Sequence, residues 1–186
     1  MTSLGNTAYV ILGFLATRPR SGYEIKQTVD QSTRFFWAAS YGQIYPELRR
    51  LREAGLVTSE RDDAGGRKRA RHRITAAGRR ALRDWLAEPA DPTELRDEKL
   101  LKLFFAGAVG GERASRSAAA EILAARGSEH AEKSRRLREL EPQVLAGGNP
   151  YQLAVLRYGI GLNEWGEDHC RRAARGLQDA GEGEVA

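Results

Sequence analysis

Apolar positions crowd the start of the chain. From Leu4 to Ala16 they fall on more than one side of a helical projection, which predicts a well-buried first helix ended by Pro19. Ser21, Gly22, Tyr23 and Glu24 form a capping box, in which the serine hydroxyl and the glutamate carboxylate each satisfy a free backbone N–H. A second helix is expected from Gly22 to about Ser32. Ile44, Leu48 and Leu51 then recur at i, i+4, i+7 and mark the buried stripe of a third helix, Tyr41 to Ala54, with Gly55 as its stop. Pro46 lies inside that stretch, so the helix either starts late, near Gln43, or is kinked there.

The period changes after Gly55. Leu56 to Arg61 alternates loosely like a strand, Asp62 to Gly66 is turn chemistry, and Arg67 to Ile74 reads as a return strand. Thr75 is a suitable cap for a helix reaching Leu86. Residues 88–92 hold two prolines and little apolar content, and read as a boundary. Asp91, Pro92, Thr93 and Glu94 look like a further helix start, and that helix should run to about Val109 before Gly110 and Gly111. Glu112 to Glu141 reads as a long helix, 142–150 as a loop, and Tyr151 to Asp179 as the last helix. The expected division is a winged helix-turn-helix over 1–88, a helical domain over 92–179 and a disordered tail over 180–186. The fold class is mainly α, with a two-stranded hairpin as the wing and a C-terminal helical arm.

Charge sharpens this layout. Residues 1–90 hold 16 Lys and Arg against 9 Asp and Glu, while residues 91–186 hold 14 against 16. A basic first half suits a polyanionic partner, above all nucleic acid. On the third helix, Gly42, Arg49 and Glu53 lie roughly opposite the buried stripe, flanked by Gln43, Tyr45 and Arg50. Arg and Gln can read guanine and adenine edges by paired hydrogen bonds. Strand alternation throws Arg67, Arg69, Arg71 and Arg73 to one side of the hairpin, where they could follow phosphates, with Lys68 beside them.

Other classes find less support. His72, His130 and His169 have no metal-ligand spacing with Cys170 or one another, and no phosphate-binding glycine loop of the P-loop type occurs. No enzyme activity, metal or cofactor is expected. A single cysteine allows no intrachain disulfide. The first apolar run is too short for a membrane span, so a cytoplasmic location is expected.

The last helix carries Leu153, Leu156, Ile160, Asn163, Glu167, Cys170, Ala174 and Leu177 at alternating spacings of three and four, with Val155, Leu162 and Trp165 on a second flank. So broad an apolar face needs a partner, and a second copy of the chain is the expected one. Leu153, Leu156, Ile160 and Trp165 are the candidate dimer contacts. Gly159 and Gly161 suggest a close helix crossing. Trp85, Phe104, Phe105 and Trp165 are candidates for a site taking a small aromatic or apolar effector.

The run Tyr-Gly-Gln-Ile-Tyr-Pro-Glu-Leu-Arg-Arg-Leu-Arg-Glu-Ala-Gly-Leu-Val from Tyr41 to Val57 closely resembles the recognition helix of PadR-type transcriptional regulators. Ser21 to Ile25 resembles the start of that family's second helix, and Ile74 to Gly78, with Leu82 and Trp85, its wing exit. Glu98 to Phe105, and Tyr151 to Ile160 with Trp165, resemble the longer PadR subgroup, whose arm is similar to the virulence-activator C-terminal domain. The resemblance implies a homodimeric regulator of double-stranded DNA, usually a repressor at a palindromic operator and often released by a small molecule. It also implies DNA contacts from Tyr23, Lys26, Ser40, Tyr41, Gln43, Tyr45 and Arg49, and from Arg67, Lys68, Arg69 and Arg71 on the wing. One departure is His72, where many relatives carry tyrosine. The alternative is a winged helix used as a protein-interaction scaffold without DNA binding.

Overall fold

The computed structural model describes residues 4–62, 69–92 and 94–182. They form two compact units, divided between Pro92 and Thr93. The first unit runs α1 (Asn6–Thr17), β1 (Arg20–Ser21), α2 (Gly22–Gln31), a 3-10 turn (Thr33–Phe35), α3 (Tyr41–Glu53), β2 (Val57–Asp62), β3 (Arg69–Ile74) and α4 (Ala76–Ala87). Ala8, Ile11, Leu12 and Leu15 of α1 meet Ile25 and Val29 of α2, and Ile44, Leu48 and Leu51 of α3, in one core closed by Val57 and Ile74. Burying each large aliphatic side chain contributes about 1.5–3 kcal/mol.

The polar punctuation explains the element ends. Ser21 Oγ accepts from the Glu24 N–H at 3.2 Å, while the Ser21 N–H donates to Glu24 Oε2 at 2.7 Å. After α3, Gly55 takes φ +70°. The Leu56 N–H then reaches the Leu51 carbonyl at 2.9 Å, and the Gly55 N–H reaches that of Arg52 at 3.0 Å, the two bonds of a Schellman motif. Thr75 Oγ1 accepts from the Gly78 N–H at 3.1 Å and donates to the Gly55 carbonyl at 2.8 Å, which ties the start of α4 to the end of α3. Pro46 sits within α3, which begins at Tyr41, so the late-start alternative is not the one adopted. The bond it forgoes would have used the carbonyl of Gly42, an exposed residue that water can serve.

The sheet has three strands in the order β1-β3-β2, all antiparallel. The two-residue β1 was not anticipated: Arg20 pairs with His72 and Ser21 with Arg71. A strand this short carries no periodicity of its own. It forms because the capping serine already holds extended backbone, with φ −78° and ψ 162°.

In the second unit α5 covers only Glu98–Phe104, shorter at both ends than expected. Asp97, not Asp91, is its cap. The Asp97 carboxylate accepts from the N–H groups of Lys99 and Leu100 at 2.9 and 3.2 Å and is bound by Arg126 from α6. That ion pair fixes the start point, and it joins residues too far apart in sequence for a local pattern to show. α6 (Glu112–Ala146) passes straight through Pro142, where a loop was expected. Leu137, Leu140 and Val144 pack there on Leu156 and Ile160 of α7, and that burial offsets the roughly 3 kcal/mol a mid-helix proline costs. The true loop is only 147–149. Gly148 turns the chain at φ +66°, Asn149 Oδ1 caps the N–H groups of Tyr151 and Gln152, and Pro150 takes the first helical position of α7 (Pro150–Glu182). α7 therefore runs past Asp179, and 180–182 are helical rather than part of a tail; residues 183–186 of that expected tail lie outside the described residues.

α6 and α7 form an antiparallel hairpin with three layers. Leu123 meets Cys170 and Ala174 at one end, and Leu137 meets Leu156 and Ile160 at the other. Between them His130 Nδ1 lies 2.9 Å from Asn163 Oδ1, and Asn163 Nδ2 donates to the Gly159 carbonyl at 2.7 Å. The His130 ring lies where a Cβ on Gly166 would be, 2.8 Å away. Gly159 also meets a neighbour, Leu137, at 3.1 Å, as a close crossing requires, whereas Gly161 faces open space and owes nothing to it.

Candidate nucleic-acid interface

α3 presents Tyr41, Gly42, Gln43, Tyr45, Arg49 and Arg50 to solvent, because Ile44, Leu48 and Leu51 consume its other side. The rings of Tyr41 and Tyr45 stack with centroids 6.1 Å apart. Lys26 of α2 holds its amine 5.3 Å from the Tyr41 ring centroid. Tyr23, one turn earlier on α2, is exposed and its hydroxyl accepts from Gln27 Nε2 at 3.2 Å. The expected residues of α2 and of the start of α3 thus share one surface of aromatic rings and a cation.

Two details there were not legible in the sequence. A Cβ on Gly22 would stand 2.7 Å from the Tyr45 ring, so the glycine after the capping serine lets Tyr45 lie across the start of α2. Gln43 is also partly engaged: its Oε1 accepts from the Ser40 N–H at 2.9 Å. Its NH2 takes no part in that bond. A bidentate contact to adenine would require the side chain to leave the cap.

On β3, Arg71 and Arg73 are exposed, while His72 is half-buried and Ile74 buried, the alternation the strand demands. The Arg69 backbone pairs with Asp62; Arg67 and Lys68 lie outside the described residues. His72 Nδ1 is 2.8 Å from Ser59 Oγ on β2. Burial, and then the nearby charge of Arg52, push its pKa below the usual 6.5. As pH falls below about 6.5 the unfolded chain takes up a proton that the folded one resists, so stability falls with it. His72→Gln is expected to flatten the fall in melting temperature between pH 7 and pH 5. A melting curve unchanged in its pH response would contradict this.

Glu24 is the residue that sequence reasoning placed only as a cap. Its carboxylate also receives Arg18 Nη1 at 3.3 Å and faces Arg71 Nη2 at 3.9 Å. The Ser21 backbone N–H, more than the arginines, holds its pKa below the usual value.

The effector candidates each have partners of their own. Trp85 stacks on Tyr9 at 4.4 Å and 7°. Phe104 and Phe105 meet edge to face at 5.0 Å, and both are exposed. Trp165 stacks on His169. Among the dimer candidates, Leu156 and Ile160 are buried by α6 of the same chain, and Leu153 is half-buried. Their burial is therefore explained within one chain. The other flank is free: Tyr151, Val155, Tyr158, Leu162 and Trp165 are all exposed, at spacings of four, three, four and three. Among the described residues no group of His, Cys, Asp and Glu could hold a metal, and no helix is long and apolar enough to cross a membrane.

Four helices with a basic two-stranded wing, followed by a short helix and a helical hairpin, give a winged-helix unit with a helical arm. Comparison with known proteins agrees. Residues 11–84 match the transcriptional regulator PadR-like family, and residues 95–178 match the virulence activator alpha C-terminal domain. Over these two stretches the chain is similar to PadR-like transcriptional regulators and to the virulence-activator-type arm. It is 33% identical over 109 residues to the negative transcriptional regulator PadR of Bacillus subtilis, covering 58% of this chain and 60% of that relative. It is 29% identical over 183 residues to a probable transcriptional regulator of Mycobacterium tuberculosis, Rv1176c, covering 92% and 97%. Among solved structures, Bacillus subtilis PadR in complex with operator DNA superposes with a TM-score of 0.82 at 23% identity, covering 94% of this chain and 99% of that one. The Vibrio cholerae virulence activator AphA does so with 0.73 at 27%, with the same coverage.

Proposed function

We propose that this regulator is a homodimeric repressor that binds a palindromic operator through α3 and the β2–β3 wing. The observation that carries the reading is the surface at the start of α3: the stacked Tyr41 and Tyr45, Lys26 over the first ring, and Arg49 exposed farther along the same helix. Side chains at the N-terminal end of such a helix reach deepest into the major groove, with the wing on the flanking backbone. Selection of bound duplexes from a random pool tests it. A two-fold symmetric consensus is expected, and the absence of any enriched sequence would overturn the reading.

Given that operator, Arg49→Ala and Gln43→Ala should each cost about 1–3 kcal/mol of discrimination against altered base pairs. Arg71→Ala should instead weaken all duplexes by the same factor and lower the log–log salt slope by about one unit. A shift in sequence preference from Arg71→Ala would reverse these roles.

A small aromatic or apolar effector belongs to the same proposal. The exposed rings of Phe104, Phe105 and Trp165 support it, and Bacillus subtilis PadR has been solved with p-coumaric acid. Any such ligand can act only through different affinities for two states of the dimer. Tryptophan fluorescence titrated with aromatic acids, read beside operator release, is the test. No quenching across the panel would leave a constitutive regulator.

A further inference from the structure

We propose that two carboxylates on α2, Glu24 and Asp30, act as internal stand-ins for DNA phosphate, holding a pair of cations each and weakening binding to every duplex by the same factor. The inference rests on the DNA-binding reading above. Glu24 takes Arg18 from the end of α1 at 3.3 Å and faces Arg71 from the wing at 3.9 Å. Asp30 is bound by Lys26 and takes Arg34 at 3.1 Å. These four cations come from four places in the first unit: the α1–β1 connection, α2, the 3-10 turn and β3. Two of them, Lys26 and Arg71, belong to the candidate interface. Glu24 also has the stand-in's defining property, which is that it is held ready. The Ser21 N–H fixes Glu24 at the head of α2, and Asp30 sits two turns on along the same helix.

The chemistry of exchange sets the expected effect. Each arginine or lysine that moves to a phosphate displaces counterions from DNA, and that release gives binding its salt dependence. A cation that must first leave an internal carboxylate frees a site that draws a cation back from solution, so the net release is smaller. Partly exposed pairs of this kind are worth under about 1 kcal/mol each, which is about a two- to fivefold change in affinity. The cost falls on phosphate contacts, which carry no sequence information. It therefore lowers the hold on bulk DNA without favouring one sequence. In the register of the wing, Glu60 lies opposite Arg71. It belongs to β2 of the wing itself, whereas Glu24 belongs to α2.

The test uses the full chain with a mixed-sequence duplex and with the duplex that selection yields, across a salt series. Glu24→Gln keeps an oxygen that can accept from the Ser21 N–H, and Asp30→Asn keeps the shape, so each variant should fold, with a lower melting temperature because the ionised carboxylate stabilises the fold. Each variant is expected to bind both duplexes about two- to fivefold more tightly at low salt, with a log–log slope steeper by about one to two units. In an Arg18→Ala, Arg71→Ala background the Glu24→Gln gain should vanish, and in a Lys26→Ala, Arg34→Ala background so should that of Asp30→Asn. A gain that survives there is bulk charge, and overturns the proposal. So does a variant that binds no better than the parent chain, or one that tightens a single sequence. If the parent chain itself binds no duplex at any salt, the DNA-binding reading fails first and takes this inference with it.

Discussion

Gly78→Ala is expected to destabilise the first unit by about 3 kcal/mol, the upper end of what overpacking costs. A Cβ at that position would stand 2.3 Å from the Leu56 carbonyl oxygen and 2.8 Å from Ile74 Cγ1. The carbonyl cannot step aside. It accepts the Thr75 N–H at 3.0 Å, and Leu56 itself completes the Schellman motif of α3. Relief would therefore lift α4 from the hairpin and disturb the Thr75 bonds to Gly55 and Gly78 together. Gly13→Ala is the matched control. It lies in α1 with nothing within 4 Å of the new Cβ, so the same change should stabilise by about 0.4–1 kcal/mol. Urea melts of the two variants should move in opposite directions. A Gly78→Ala melt within error of the parent would show that α4 is not seated on the Leu56 carbonyl.

The fold was legible where burial is periodic and caps are local. Ile44, Leu48 and Leu51 mark α3 by spacing alone, and all three are buried. Ser21, Thr75 and Gly55 announce element ends within four residues of the groups they satisfy. The errors lie where a distant partner decided the outcome. Asp91 and Asp97 look alike as caps, and Arg126, far along α6, selects Asp97. Pro142 reads as a break, but Leu156 and Ile160 on the facing helix hold Leu137, Leu140 and Val144 in helical register around it.

The candidate interface was legible for a different reason. Once α3 is placed, its exposed residues are those its core stripe leaves over, so Tyr41, Gln43, Tyr45 and Arg49 follow from Ile44 and Leu48. What the chain's pattern could not display are relations between elements: Gly22 making room for Tyr45, and Glu24 meeting arginines from α1 and the wing. The last helix shows the same limit. It carries two heptad-like stripes, and spacing alone cannot say which one faces its own chain.

Tyr158→Glu with Leu162→Glu is expected to yield a monomer with unchanged helix content and an operator affinity lower by about 10²-fold or more. The inner stripe of α7, Leu156, Ile160, Cys170 and Ala174, is occupied by α6. The outer stripe is not: Tyr151, Tyr158 and Trp165 are 81%, 73% and 61% exposed, and Val155 and Leu162 lie between them. Large apolar residues repeating at alternate spacings of four and three form the seam that a second helix fills. Two glutamates at its centre add charges that a dimer must bury unpaired, which disfavours association by several kcal/mol. They leave the hairpin intact, since neither residue touches its core layers. In the proposed dimer, losing one protomer makes the second half-site a separate binding event, and joined half-sites typically gain 10²–10⁴-fold over single ones. Sedimentation should show a species of 20.6 kDa, and circular dichroism should overlay that of the parent chain. Leu156→Glu is the counter-test. It strikes the stripe buried within the chain, so it should lower helix content and thermal stability. Should the doubly substituted protein remain a dimer while Leu156→Glu dissociates without unfolding, the two stripes have been assigned the wrong way round.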